Sequence, residues 1–251
     1  MSRLWQTIVS LWAWLVLVVC IVLWFPVLVI VRLLTLPFDR GRYIPGRIFR
    51  KIGPAMATLN PLWHFRYSGT LPKDPRRPFV VVSNHESFSD ILLISHLPWE
   101  MKWLSKAELF RIPIMGWMMW LVGDIPVRRG FGPSAVEALA RCRASLANRV
   151  SVMIFPEGTR SKTAELLPFK DGAFRLAIEA GVPILPLAVS GTSTALRKHD
   201  WRFGKSVAEV RVLEPVETTG LTLDDVPELR GRVRDSIVQA RDTLSKEIRP
   251  G

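Results

Sequence analysis

From Ile8 to Val31 the chain carries no charge and one polar side chain, Ser10, and no other feature limits its folding so strongly. As a helix rising ~1.5 Å per residue, this run would be ~36 Å long, enough to cross a hydrocarbon core. A signal-peptide apolar region is shorter, and Thr35-Leu36-Pro37-Phe38-Asp39 does not read as a small-residue cleavage site. The segment is therefore expected to stay on the protein. Trp5, Trp12, Trp14 and Trp24 suit a membrane interface, and Arg32, Arg40, Arg42, Arg47, Arg50 and Lys51 follow the run against Arg3 before it. That asymmetry places the rest of the chain on the cytoplasmic side. Pro26 removes a helix hydrogen bond and is expected to kink the run, so a spanning helix and a re-entrant or in-plane anchor both remain open.

The 251 residues also hold 34 Lys plus Arg against 22 Asp plus Glu, a net charge of +12. Such a chain seeks anionic partners, either nucleic acid or anionic lipid. The apolar segment decides for anionic membrane lipids, and no nucleic acid is expected, because the aromatics lie in apolar runs rather than between basic residues. With 49% hydrophobic and 22% charged residues the chain is too apolar for disorder. Its two cysteines, Cys20 and Cys142, read as small hydrophobes and offer no disulfide framework or thiolate metal site.

The chain divides into N-terminal membrane-anchoring helices over 1–60 and an α/β domain over 61–251. Between Arg40 and Asn60 apolar and basic residues alternate, as in an amphipathic helix that meets headgroups or covers the domain. Three prolines and four charges in 70–78 mark a loop. Beyond it, short β-branched runs alternate with helix-period segments: Phe79–Ser83, Lys102–Ser105, Asp124–Val127, Val152–Phe155, Ile184–Val189 and Val207–Val212. This alternation predicts a largely parallel central sheet flanked by helices. Ser134 and Glu137 have capping-box spacing and predict a helix from there to about Asn148. Gly181 is expected to end a helix over 174–180, and Val226, Leu229, Val233, Ile237, Ala240, Leu244 and Ile248 predict an amphipathic terminal helix.

The first chemical signal is Asn84-His85-Glu86-Ser87-Phe88-Ser89-Asp90, directly after a β-like run. On one continuous helix, His85 and Asp90 would point about 140° apart. If the strand ends at Ser83 and Ser87 or Ser89 caps a helix holding Asp90 in its first turn, the two side chains meet. Asp90 then fixes one imidazole nitrogen and leaves the other as a base, and Glu86 needs no catalytic role. The second signal is Phe155-Pro156-Glu157-Gly158-Thr159-Arg160-Ser161. Gly158 permits close approach, Arg160 offers a planar fork for phosphate, and Lys170 adds a cation; the competing reading pairs Arg160 with Glu157 in a plain turn. The third is Lys102 to Lys106 with the uncharged run 112–122, which reads as core or as a wall for an alkyl chain, followed by Arg128 and Arg129 at a strand end. There is no G-x-S-x-G, G-x-G-x-x-G or H-E-x-x-H, so metal and nucleotide hydrolysis find no support.

Taken in order, Asn84-His85 to Asp90, Lys106 to Gly116, Gly123 to Arg129, Phe155 to Ser161 and Val182 to Pro186 resemble the motif blocks of the glycerolipid acyltransferases. The resemblance is greatest to the 1-acyl-sn-glycerol-3-phosphate acyltransferases (lysophosphatidic acid acyltransferases). It implies acyl transfer from acyl-CoA or acyl-carrier protein to the sn-2 hydroxyl of lysophosphatidic acid, giving phosphatidic acid, with no cofactor and no metal beyond the thioester co-substrate. By the same resemblance His85 and Asp90 are the catalytic pair. Glu157, Gly158, Thr159 and Arg160 bind the acceptor, with Lys106 and Arg129 beside them. Where the family places Asp before the arginine of the Gly123 block, this chain has Arg128. A bacterial inner membrane is the implied location. Other expectations stand against this one: another acceptor such as lyso-ornithine lipid or a lysophospholipid, a thioesterase in which water replaces the lipid hydroxyl, and a non-enzymatic basic anchor.

Overall fold

A computed structural model of the chain describes residues 3–161, 165–196 and 200–248. The apolar run lies within α1 (Arg3–Thr35), which continues through Pro26 as one helix. Two short helices follow, α2 (Tyr43–Arg50) and α3 (Ile52–Leu59). Their basic residues turn inward rather than toward headgroups. Arg50 is buried between Asp124 and Glu100, and Arg47 donates to the Leu97 carbonyl at 2.8 Å, so the covering-helix expectation is the one realised. Gly46 is required at this contact, because a Cβ there would stand 2.2 Å from the Glu100 carboxylate.

The α/β part contains β1 (Trp63–Gly69), β2 (Val80–Ser83), α4 (Asp90–Ile94), β3 (Met101–Lys106), α5 (Met115–Val122), β4 (Ile125–Val127) and α6 (Gly132–Ala147). It continues with β5 (Ser151–Ile154), α7 (Gly172–Ala180), β6 (Ile184–Ser190), β7 (Ser206–Val212) and α8 (Val226–Ile248). The seven strands form one sheet in the order β1-β7-β6-β2-β5-β3-β4. From β6 to β4 every neighbouring pair is parallel, and β7 runs antiparallel to β6. The parallel strands therefore end on a common edge. Their continuous apolar runs follow from burial on both faces: α6, α7 and α8 cover one face through Ala138, Phe174 and Val233, and α4 covers part of the other through Leu93 and Ile94.

The boundary expected at residue 60 is not a break in packing. Phe49, Ile52 and Met56 share one buried cluster with Trp63, Met118, Val122 and Phe203. Along α1, Val9, Ala13, Val16, Cys20 and Leu28 join the same cluster, a stripe at helical spacing. Three of the tryptophans expected at a membrane interface also tether α1: Trp12, Trp14 and Trp24 donate their indole N–H to the carbonyls of Leu59, Trp201 and Ile48. The opposite face of α1 leaves Leu11, Leu15, Val18, Val22 and Ile30 exposed, and Trp117 and Trp120 of α5 are exposed as well.

One local expectation fails and another holds. Helix α6 begins at Gly132 with Pro133 in its first turn, and Ser134 makes no cap; its hydroxyl accepts the Arg128 N–H at 3.0 Å. Proline's fixed φ and missing donor suit a helix start, and this outweighs the Ser-x-x-Glu spacing. A capping box is found at Thr222 and Asp225, in the turn leading into α8. Gly181 does end α7, in the left-handed conformation at φ 62°.

Candidate active site

Strand β2 is wholly buried and stops at Ser83. Asn84 then locks the chain to β6, donating to the Val189 carbonyl at 2.9 Å and accepting its N–H at 2.8 Å. This double bond replaces one rung of the ladder and lets the backbone turn at His85. The turn brings together what a continuous helix would separate. His85 Nδ1 lies 2.8 Å from Asp90 Oδ2, with His85 8% and Asp90 0% exposed. Asp90 opens α4, but neither expected serine caps that helix: Ser89 makes no cap bond, and Ser87 accepts the Ser89 N–H and donates to the Leu196 carbonyl. Asp90 itself does the local capping of the loop. Its Oδ2 accepts the backbone N–H groups of Glu86 and Ser87 at 2.8 and 3.0 Å, and its Oδ1 accepts the Thr192 hydroxyl.

That donor set fixes the imidazole. An oxygen already serving as acceptor for two amides accepts from Nδ1 as well, so Nδ1 carries the proton and Nε2 is left as the basic nitrogen. The ring is clamped in plane by Phe155, stacked at 3.9 Å between centroids and 15° between planes. His85 borders a cleft of about 700 Å³ that also touches Glu86, Ser190, Lys205 and Arg241. A basic nitrogen at the wall of a cleft, at the carboxyl edge of a parallel sheet, can take a proton from a hydroxyl placed there.

Glu157, expected to bind substrate, lines the same cleft as His85 with its carboxylate occupied by the backbone. It is 4% exposed, and its two oxygens accept the backbone N–H groups of His85 at 2.8 Å and Leu167 at 3.0 Å. Burial pushes its carboxyl above the usual range, against the pull of those amides. A carboxyl so occupied holds together the loops beside the imidazole. Among the described residues no ion pair joins it to Arg160, so the plain-turn reading is not realised either. Ser161 N–H donates to the His85 carbonyl at 3.0 Å, which ties the Gly158-to-Arg160 loop directly to the histidine.

The remaining expected residues lie along the same edge, on successive strands. Gly158, Thr159 and Arg160 follow β5, Lys106 ends β3 and Arg129 follows β4. Thr159, Arg160, Lys106 and Arg129 are exposed. A second cavity of about 350 Å³, walled partly by Phe155, gathers Gly158, Lys170, Arg128 and Arg129. Gly158 sits at φ 71°, and a Cβ on it would lie 2.8 Å from Lys170 Nζ, so the ammonium rests on the glycine itself. Among the described residues no carboxylate pairs with Arg128, Arg129 or Lys170. Lys106 and Arg160 stand outside this cavity, and Lys106 faces Glu108 at 3.5 Å. Sequence reasoning missed Thr192, about a hundred positions from its partner Asp90, and the ring of Phe155 under His85; neither sits in a pattern that announces it. Among the described residues no cluster of His, Cys, Asp or Glu could hold a metal ion.

Residues 64–190 match a family model described as Acyltransferase. The chain is 40% identical over 179 residues to human 1-acyl-sn-glycerol-3-phosphate acyltransferase alpha, covering 70% of this chain and 63% of that protein, just under two thirds of its length. The Haemophilus influenzae 1-acyl-sn-glycerol-3-phosphate acyltransferase is 31% identical over 198 residues, covering 77% of this chain and 81% of the relative. The crystal structure of the 1-acyl-sn-glycerophosphate (LPA) acyltransferase PlsC from Thermotoga maritima superposes over all of both chains with a TM-score of 0.82 at 28% identity.

Proposed function

The chain belongs to the acyltransferase family, and from that premise we propose that it transfers a fatty acyl group from an acyl thioester to the sn-2 hydroxyl of lysophosphatidic acid, giving phosphatidic acid. The single observation that carries the reading is the His85–Asp90 contact at the wall of a cleft. A lipid hydroxyl is a poor nucleophile at neutral pH, and a positioned imidazole that removes its proton during attack contributes about 10²- to 10⁴-fold. The hydroxyl oxygen bonds to the thioester carbonyl carbon while its proton passes to His85 Nε2. The tetrahedral adduct then expels the thiolate, which takes that proton back from the imidazolium. Asp90 stabilises the transient cation and keeps the ring in register.

The acceptor's phosphate fits the cavity that holds Gly158, Lys170, Arg128 and Arg129, with Arg160 and Lys106 outside it on the same sheet edge. Three cations with no carboxylate partner among the described residues suit a phosphomonoester, and the Phe155 ring connects that cavity to His85. The activity for which the human and Haemophilus relatives are named favours the same acceptor. Both acyl-CoA and acyl-carrier protein suit the donor role, and no cofactor enters the scheme.

The membrane is met by α1 lying in one leaflet. Gln6 and Ser10 near its start bond to Phe203, and Trp24 farther on bonds to Ile48, so both parts of the helix are fastened to one rigid body. A spanning helix would carry residues that lead into β7 across ~30 Å of hydrocarbon. The exposed apolar face of α1 enters the lipid instead, and the +12 charge favours the anionic cytoplasmic leaflet, in a bacterium that of the inner membrane.

The test is transfer by the purified full chain in detergent micelles, using acyl-CoA and acyl-carrier protein in turn, to lysophosphatidic acid and to lysolipids with larger headgroups. Selective formation of phosphatidic acid supports the reading. Equal use of other lysolipids, or thioester cleavage that ignores the acceptor, overturns it.

A further inference from the structure

The His85–Asp90 pair serves as a base only while Asp90 stays ionised and keeps one oxygen on His85 Nδ1. Resting on that reading of the site, we propose that Thr192 is a positioning residue for acyl transfer, its hydroxyl holding the Asp90 carboxylate in that state.

The two oxygens of Asp90 are supplied unequally. Oδ2 accepts from His85 Nδ1 and from the backbone N–H groups of Glu86 and Ser87, at 2.8, 2.8 and 3.0 Å. Oδ1 has one bond among the described residues, and the Thr192 hydroxyl donates it. Asp90 and Thr192 are both 0% exposed, so bulk water cannot stand in for that hydroxyl. Without it, Oδ1 becomes a buried acceptor with no donor. The carboxylate then turns toward the donors of Oδ2 or takes up a proton, and either change weakens the anion that the Nδ1–H needs.

The chain around Thr192 is fixed from several sides. Gly191 lies at φ 94°, where a Cβ would stand 2.1 Å from the Val207 carbonyl oxygen. Its own carbonyl accepts the hydroxyls of Ser206 at 2.8 Å and Thr194 at 3.1 Å. The Thr192 carbonyl accepts the Ala195 N–H at 3.0 Å. Because β6 is also tied at Val189 to Asn84, beside His85, the hydroxyl reaches Asp90 from a point referenced to the histidine itself. Ser87 adds a second bond between the same two loops, donating to the Leu196 carbonyl at 3.2 Å.

The Thr192 hydroxyl also faces the Glu86 carboxyl. Burial, and after it the Asp90 charge, push that carboxyl up to about 8, so near neutral pH it competes little for the hydroxyl proton. Ser193 and Thr194 border the cleft, whereas Thr192 is sealed behind it. Its effect therefore falls on turnover rather than on substrate binding.

The experiment measures initial rates at varied lysophosphatidic acid and acyl-CoA for the full chain, Thr192→Ser, Thr192→Val, Asp90→Asn and the Asp90→Asn/Thr192→Val double variant. Thr192→Val keeps the shape and loses the hydroxyl; it should lower kcat by about 10- to 10²-fold, with both KM values within ~2-fold of wild type. Thr192→Ser, which still donates, should keep kcat within ~3-fold. In the Asp90→Asn background, Thr192→Val should change kcat by less than ~3-fold, because Thr192 acts only through the carboxylate. The proposal is overturned if Thr192→Val matches wild type, if Thr192→Ser is as impaired as Thr192→Val, if the change lies in KM, or if the double variant shows the product of the two single losses. Should Thr192→Val not fold, Thr192→Ala decides on the same criteria. Failure of the wild-type chain to acylate lysophosphatidic acid removes the proposed function itself, a result distinct from any of these.

Discussion

Four contacts converge on the Asp90 carboxylate: an imidazole, two amides and a hydroxyl meet its two oxygens. Asp90→Asn is expected to keep the fold yet present an N–H where an acceptor is needed, favouring the wrong tautomer of His85. Transfer should drop by about 10³- to 10⁴-fold in kcat with little change in melting temperature. A variant with near wild-type kcat would remove Asp90 from the mechanism. Glu86 makes a second residue-scale prediction. A carboxyl raised in the folded state binds more protons than in the unfolded chain between the two pKa values, so stability is present at low pH and lost as pH rises through about 8. Glu86→Gln should therefore gain thermal stability over wild type progressively as pH rises from 4.5 to about 8, with the full difference at alkaline pH. The His–Asp pair was legible because five positions and a turn suffice to bring it together. Thr192 was not, because a threonine in a loop carries no pattern and its contact spans most of the α/β domain.

At the scale of elements, six strands were legible from their β-branched runs, since burial on both faces forces continuous apolar sequence. Strand β1 was not. Its residues Trp63-His64-Phe65-Arg66-Tyr67-Ser68-Gly69 lie at the sheet edge, largely exposed, and pair only with β7. An edge strand needs no continuous apolar run, so the signal is absent by construction. The expected helix cap at Ser134 lost to Pro133 for an equally local reason. The loop after β5 depends on one glycine. Gly158→Ala would force an alanine into the left-handed region, at about 1–2 kcal/mol, and set its Cβ against Lys170. The expected outcome is a raised KM for the phosphate-bearing acceptor with kcat largely kept, read from initial rates at varied lysolipid; an unchanged KM would separate this loop from phosphate recognition.

Over the whole molecule, the N-terminal helices and the sheet are joined by a buried network. Arg50 bonds Asp124 and Glu100, Lys102 bonds Glu100 at 2.9 Å, and Asp124 accepts the Trp103 N–H at 3.0 Å. Removing one partner leaves buried charge uncompensated, so Arg50→Ala is expected to cost about 3–5 kcal/mol in denaturant unfolding. A cost under ~1 kcal/mol would mean that the helices and sheet are not coupled through it. The apolar length of α1 was legible, but its attachment to the α/β part was not, because the bonds that fasten it come from residues 201–203 and 59. Leu15→Asp with Val22→Asp, both on the exposed face, should release the chain from anionic vesicles while leaving its melting temperature within a few degrees; retention on the vesicles would refute the lipid-facing assignment.

The central claim is that His85 and Asp90 work as one unit, and a double-mutant cycle on kcat for phosphatidic acid formation tests it most directly. If they do, His85→Ala and the His85→Ala/Asp90→Asn double variant should be equally impaired, because Asp90 acts only through the imidazole. If the double variant instead loses the product of the two single losses, or if His85→Ala retains most of its rate, the pair is not the catalytic base.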